Sequence, residues 1–541
     1  MSSGEKKINV ILPLLLALFL VGGMLIGNQL SRITATHNFQ VYPNTNKLAA
    51  IIDYIAKEYV DSISRDDLIE KTIPQVLENL DPHSVYIPAS ELQQYNEPLE
   101  GNFSGIGVQF NMQDDTVVII NTIQNGPSEK VGIIAGDRIV RVDDSLVAGV
   151  NMPSEDIVAM LKGKRGTKVK VTIERLNLNE LIDFIITRDN IPLYSVDVAY
   201  MITGSMGFIK ISQFSRTTYD EFIEAVHKLK EQGMTSLILD LRNNGGGYMD
   251  AATRIADQFL EKNKLIVYTE GRAQPRKDIL ATSKDELLDT RVIVLLDELS
   301  ASASEILAGA IQDNDRGLIL GRRSFGKGFV QQQTTFPDGS ALRLTVARYY
   351  TPTGRCIQKP YSKGVDDYYH ELQARFDHGE FVYADSIHFA DSLKYYTPAG
   401  KVVYGGGGIM PDIFVPWDTI GMTSYYEQVR SRGLIYRYAF RYTDDNRTKL
   451  NRFNDYREIV SYLDKQSLLN DFVTFAEKNG VRKNTEEIIL SEQIIMTQLK
   501  AYIARNLIDN PGFYPIIQSI DKTLLKGIEI LQKPVPLADA H

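Results

Sequence analysis

The sequence predicts a multidomain α+β chain, and three observations predict it. At 541 residues the chain exceeds what a single hydrophobic core holds together, so three or four domains are expected. Apolar residues recur at helical spacing near the N-terminus, and a run of short β-rich segments follows. Beyond that run, strand, glycine turn and helix alternate. The expected divisions are a cytoplasmic stub with a transmembrane helix (1–30), a small helical domain (40–98), a β-rich domain (99–190), an α/β core (191–419) and a mostly helical extension (420–541).

The N-terminal helix comes first. Residues 8–27 (INVILPLLLALFLVGGMLIG) carry no charge and are long enough to cross a ~30 Å hydrocarbon core. Lys6 and Lys7 precede them, so the positive-inside rule leaves the N-terminus in the cytoplasm and the rest of the chain outside. A cleaved signal peptide is the rival reading. Its apolar region would run ~7–15 residues and end at a small-x-small site. This stretch is longer and lacks such a site, which favours an uncleaved anchor in a bacterial inner membrane, with the bulk of the chain in the periplasm or outside the cell.

In the next segment Leu48, Ile51, Ile52 and Ile55, then Leu68, Ile73, Val76 and Leu77, repeat with helical period and predict packed helices. Leu80-Asp-Pro-His-Ser-Val-Tyr86 should turn, because Pro82 disfavours helix in the residue before it.

From 101 to 190, β-rich runs at 107–110, 116–120, 138–142 and 168–174 surround one amphipathic helix at 154–161. The segment Ser104-Gly-Ile-Gly-Val108 leads into the first strand. Its two glycines let consecutive N–H groups form an anion-holding nest, although for the loop taken alone a plain turn is the better explanation. Such a loop beside a strand and a helix suits capture of a peptide C-terminus by strand addition.

Over 191–417, Ser236-Leu-Ile-Leu-Asp-Leu241 reads as a buried strand running into Arg-Asn-Asn-Gly-Gly-Gly247 and a helix. Val292-Ile-Val-Leu-Leu296 repeats the device and feeds a helix starting near Ser302. Such sheets place ligands beyond the carboxyl ends of their strands. The extension reads as helical at 459–469 and 486–506, with no chemistry assignable to it.

Charge and composition exclude several functions. The net charge of −9 leaves no basic face for nucleic acid. Cys356 is the single cysteine, so no internal disulfide forms, and with no histidine near it in sequence it reads as a small filler residue. None of the seven histidines has metal-ligand spacing, so neither metal nor cofactor is expected.

Two segments can carry chemistry. In Ser300-Ala-Ser-Ala-Ser-Glu305, Ser302 and Glu305 fit a capping box, which needs no catalysis. A serine at a helix start is also beside unpaired N–H groups that stabilise an oxyanion. In Gly321-Arg-Arg-Ser-Phe-Gly-Lys-Gly328 a phosphate loop is tested and rejected. Gly328 stands where the Ser/Thr should be, and 329–334 reads as strand instead of helix. A lysine there can act as general base if burial disfavours its charge.

Together these residues resemble the C-terminal processing peptidases, also called tail-specific proteases. The serine-rich motif and F-G-K-G-x-V-Q carry the likeness, with 327 − 302 = 25 residues between serine and lysine. Asp240-Leu-Arg-Asn-Asn-Gly-Gly-Gly247, Arg348-Tyr-Tyr-Thr-Pro-Thr-Gly-Arg355, Gly406-Gly-Gly-Ile-Met-Pro-Asp-Ile413 and Leu80-Asp-Pro-His-Ser84 match as well. The segment 101–190 resembles a PDZ domain, through Gly126-Pro-Ser-Glu-Lys-Val-Gly132 and Ala135-Gly-Asp-Arg-Ile-Val140.

The resemblance implies a crotonase-like α/β peptidase core and a PDZ domain of β-sandwich type. It implies Ser302 as nucleophile, Lys327 as general base and Gln331 as the residue holding the lysine. The N–H groups of Ala303 and Gly246 would form the oxyanion hole, and Gly105, Ile106, Gly107 and Val108 the carboxylate loop. Chemistry alone does not choose among Ser300, Ser302 and Ser304; the family spacing does. The partners implied are protein substrates with unstructured C-terminal tails, with room for an adaptor or a homo-oligomer. A catalytically silent, membrane-anchored PDZ scaffold or chaperone is the alternative. The chain departs from the family at Gly245, often proline, and at Lys162, where many members carry a substrate-sensing arginine with a bidentate fork that lysine lacks.

Overall fold

Every residue of the strand Ser236–Asp240 is buried, as a continuous apolar run demands when both faces of a sheet are covered. In the computed structural model, which describes residues 16–17, 19–25, 47–113, 115–175, 178–387 and 390–533, this strand is central to a mostly parallel sheet. The order is Val196–Met201, Met206–Ile211, Ser236–Asp240, Arg291–Leu296, Leu318–Gly321 and Ile413–Phe414, antiparallel only at the first pair. One face packs against the helices Thr218–Glu231, Met249–Asp257 and Ala303–Asp313, through Phe222, Ile255, Leu307 and Ile311.

The opposite face is covered from an unexpected direction. Leu524, Ile530 and Leu531 of the helix Lys522–Gln532 share a core with Ile238, Ile293 and Leu320. The extension therefore supplies the second apolar layer that a parallel sheet requires. It also has a core of its own, built from Tyr425, Phe472, Ile495 and Leu499 among helices that include Leu434–Asp445, Leu468–Lys478 and Thr485–Ile508.

A second sheet carries the lysine segment. Phe329–Thr335 pairs antiparallel with Ala341–Tyr350, which also pairs with Leu265–Glu270 and with Val85–Ile87. Residues 85–87, expected within a helical domain, are thus a strand of the core sheet. Pro82 ends the helical run, and Tyr86 and Ile87 bury themselves on leaving the turn.

The chain divides into two units, residues 1–76 and 77–541. The first holds the amphipathic helix Lys47–Glu58 and most of the helix Arg65–Glu78. The expected span 8–27 lies mostly outside the described residues, and among these no helix is long and apolar enough to cross a membrane.

The β-rich domain forms an antiparallel sheet in the order Val108–Gln113, Thr116–Thr122, Arg138–Val142, Lys168–Glu174 and Ile182–Thr187, with the helix Ser154–Leu161 against it. Its entry and exit segments pair as Asn102–Gly105 with Asp189–Pro192. Arg138 of this domain donates to Asp444 of the extension at 2.6 Å.

Candidate active site

Ser302 sits at the junction between the strand Arg291–Leu296 and the helix Ala303–Asp313 with φ 56° and ψ −112°. A non-glycine residue rarely holds that backbone, and such strain, on the order of 1–3 kcal/mol, persists only where surroundings enforce it. The enforcing group is Glu305. Its Oε2 accepts the N–H of Ser302 at 2.8 Å and the N–H of Lys327 at 2.9 Å; its Oε1 accepts Ser324 Oγ at 2.5 Å and the N–H of Gly326 at 2.7 Å. Burial pushes the Glu305 carboxyl up to about 7, against four donors that all favour its ionised form. Tyr349 closes the other side by donating to the carbonyls of Ser302, at 3.1 Å, and Lys327, at 2.6 Å.

The loop 245–247 lies against this junction. A methyl group at Gly246, whose φ is +101°, would fall 2.7 Å from Ser302 Cβ and 3.0 Å from the Ala303 nitrogen, so only glycine fits. The N–H of Gly246, expected at the oxyanion, donates instead to Asn244 Oδ1 at 2.9 Å. The N–H of Ala303 has no protein acceptor among the described residues, as the first amides of a helix often lack one.

Ser302, Lys327, Gln331, Gly246 and Arg343 line one cavity of about 600 Å³. Lys327 Nζ donates to Gln331 Oε1 at 3.2 Å. Gln331 in turn donates through Nε2 to the carbonyl of His83, which fixes which end of its amide meets the lysine. His83 is presented by a turn in which Asp81 accepts its N–H at 2.8 Å and that of Ser84 at 2.9 Å. The Asp-Pro-His-Ser motif was legible as a turn; its role in orienting Gln331 was not.

Burial, and after it the positive charge of Arg343, pushes the Lys327 amine below its ordinary value, while Glu305 and Asp81 pull the other way. Burial likewise lowers the His83 imidazole to about 3, helped by the charge of Lys327, so this histidine is neutral at ordinary pH. No group of metal-ligating side chains occurs among the described residues. Ser300 and Ser304, the other two serines of the motif, are spent on structure. Ser300 Oγ bonds the Leu241 carbonyl at 2.9 Å, and Ser304 Oγ bonds that of Asn244, also at 2.9 Å.

The segment that leads into the loop 245–247 is itself braced. Arg242 donates to both oxygens of Asp240 and both of Asp521, the latter at 3.0 and 2.6 Å. Burial alone would raise the Asp240 carboxyl; Arg242 and Lys210 overcome it and hold it at about 2.

In the β-rich domain Ile106 is buried, and Gly107 has φ +72° with Ile191 Cδ1 3.0 Å from where a Cβ would stand. Gly105 ends one strand and Val108 begins the next. Lys162, at the end of the neighbouring helix, pairs with Glu97 at 2.8 Å and lies over the Phe103 ring.

Residues 205–369 match peptidase family S41, residues 104–185 match the PDZ domain, and residues 425–509 match a family of unknown function, DUF8443. The chain is 33% identical over 350 residues to the carboxy-terminal-processing protease of Bartonella bacilliformis, covering 63% of this chain and 80% of that protein. It is 33% identical over 351 residues to the carboxy-terminal processing protease CtpA of Bacillus subtilis, covering 65% and 72%. Among solved structures, the photosystem II D1 C-terminal processing protease aligns at 27% identity over 67% of this chain and 85% of its own, with a TM-score of 0.35. The chain belongs to peptidase family S41, among the PDZ-containing carboxy-terminal processing proteases.

Proposed function

We propose that the chain is a serine endopeptidase that cuts proteins from their C-terminal tails with a Ser302–Lys327 dyad. Ser302 Oγ attacks the scissile carbonyl while the neutral Lys327 amine takes its proton, and the resulting ammonium returns a proton to the leaving amine. Water then hydrolyses the acyl-enzyme by the same base. The N–H of Ala303 faces the developing oxyanion, and that of Gly246 joins it once Asn244 Oδ1 releases it. Gln331 holds the lysine amine in place.

One observation carries the reading: the serine and lysine segments line the same cavity and share a single buried carboxylate, Glu305. The depressed lysine supports it.

In this reading the PDZ domain takes the substrate tail at the loop of Gly105, Ile106, Gly107 and Val108 by strand addition. The apolar stretch 8–27 after Lys6 and Lys7 anchors the protein in the membrane with the peptidase on the far side.

The test is cleavage of an unfolded, tailed reporter by Ser302→Ala and Lys327→Ala. Loss in both, with unchanged circular dichroism and melting, supports the dyad. Full activity in either rejects it.

A further inference from the structure

Arg343 stands in the same cavity as Ser302 and Lys327, on the strand Ala341–Tyr350 opposite Gln333. Its Nη2 is hydrogen-bonded to two amide oxygens, Asn96 Oδ1 at 3.2 Å and Gln333 Oε1 at 2.9 Å, and no carboxylate pairs with it among the described residues. Neither acid that lines the cavity, Glu100 or Asp250, pairs with Arg343. Glu100 is held by Arg216 through both oxygens and by Tyr248, and Asp250 is exposed, with Arg254 at 4.0 Å as an ion-pair contact. A half-buried guanidinium, oriented by neutral groups and left uncompensated, is a costly feature in a fold that pairs most of its buried arginines. Arg355, for example, is bonded to Asp313 at 2.7 Å.

We propose that Arg343 is a specificity residue that receives a carboxylate of the peptide being cut. The inference rests on the Ser302–Lys327 reading. Gln331 marks the position of the lysine amine, and Gln333, which faces Arg343, lies two residues further along the same strand. Two strand positions span about 7 Å. An extended substrate advances about 3.3 Å per residue, so the bound carboxylate belongs within about two or three residues of the scissile bond. Nε and Nη1 of Arg343 have no protein acceptor among the described residues, and Nη1 can donate a charge-assisted hydrogen bond to it. The missing counter-charge is felt elsewhere in the cavity, because Arg343 is the leading electrostatic influence that disfavours charge on Lys327. The carboxylate has two sources, an acidic side chain or the free α-carboxylate of a peptide cut near its end.

The test is a matched peptide series cut by the full chain. Glu replaces Gln at each of three positions on either side of the bond, and each peptide carries a free or an amidated C-terminus. The readout is the ratio of kcat/KM for acid over amide. Wild type should favour the acid at one position by about 10- to 100-fold, the range of a charge-assisted hydrogen bond. R343Q should erase that ratio, R343K keep part of it, and R343E reverse it in favour of the amide; melting curves confirm that each variant is folded. A ratio above one between free and amidated termini assigns the α-carboxylate, and one between Glu and Gln peptides assigns a side chain. A wild-type enzyme with no acid preference, or a preference surviving in R343Q, overturns the proposal. Cleavage by Ser302→Ala run in parallel would instead overturn the dyad.

Discussion

The backbone amides of Ser302 and Lys327 donate to the same oxygen, Glu305 Oε2, at 2.8 and 2.9 Å. The serine and the lysine come from different segments and different sheets, and this carboxylate is what locks their backbones into one unit. The strained φ of Ser302 and the position of the lysine loop therefore depend on a residue that does not itself react.

Glu305→Gln keeps the size of the side chain but turns two acceptor sites into donors that face donors. Each orphaned bond costs about 1–3 kcal/mol, so denaturant unfolding should show a marked loss of stability and turnover should fall at least about tenfold. The pH dependence has a definite sign. The folded carboxyl, raised to about 7 from 4.5, binds more protons than the unfolded one, so its contribution falls as pH rises from about 4.5 to about 7. The stability advantage of wild type over Glu305→Gln should therefore narrow as pH rises across that window. Activity, which needs the ionised form, should fall as pH drops below about 7.

Gln331→Glu places a negative charge on Lys327 Nζ. That charge favours the ammonium, so the rising limb of kcat/KM against pH should move to higher pH. Gln331→Leu should instead lower kcat, by about ten- to a hundredfold, with little change in KM, since only the orientation of the base is lost. A pH profile that does not move in Gln331→Glu would show that the glutamine does not address the amine.

Asp521→Ala removes the partner that the extension offers to Arg242 while leaving the Arg242–Asp240 bonds in place. The core should stay folded, and the loop 245–247 should lose its restraint. The expected result is a several-fold drop in kcat, with rescue by Asp521→Glu, measured on a reporter and checked by melting.

Much of this was readable in the residues. The strands at 138–142 and 168–174, the helix at 154–161 and the strand-to-helix junctions at 241 and 302 appear with bounds near those expected, because apolar period and glycine turns are local signals. Ser302 and Glu305 read as a capping box, and the structure keeps that geometry while giving the carboxylate three further donors from 19 to 22 residues away. No local pattern announces those contacts. The same holds for the His83 carbonyl on Gln331, which lies 248 residues off in sequence, and for the cover that Leu524 and Ile530 give the parallel sheet. Val85–Ile87 was too short to separate from the helices before it.

The proposed mechanism requires an uncharged Lys327, and the titration of that amine can be watched directly. NMR of Ser302→Ala with carbon-13 at the lysine ε positions, assigned by comparison with Ser302→Ala/Lys327→Met, follows that one amine against pH. A midpoint clearly below the ordinary lysine value of 10.5 is the expected result; a midpoint at or above it would contradict the proposed role of Lys327 as the base.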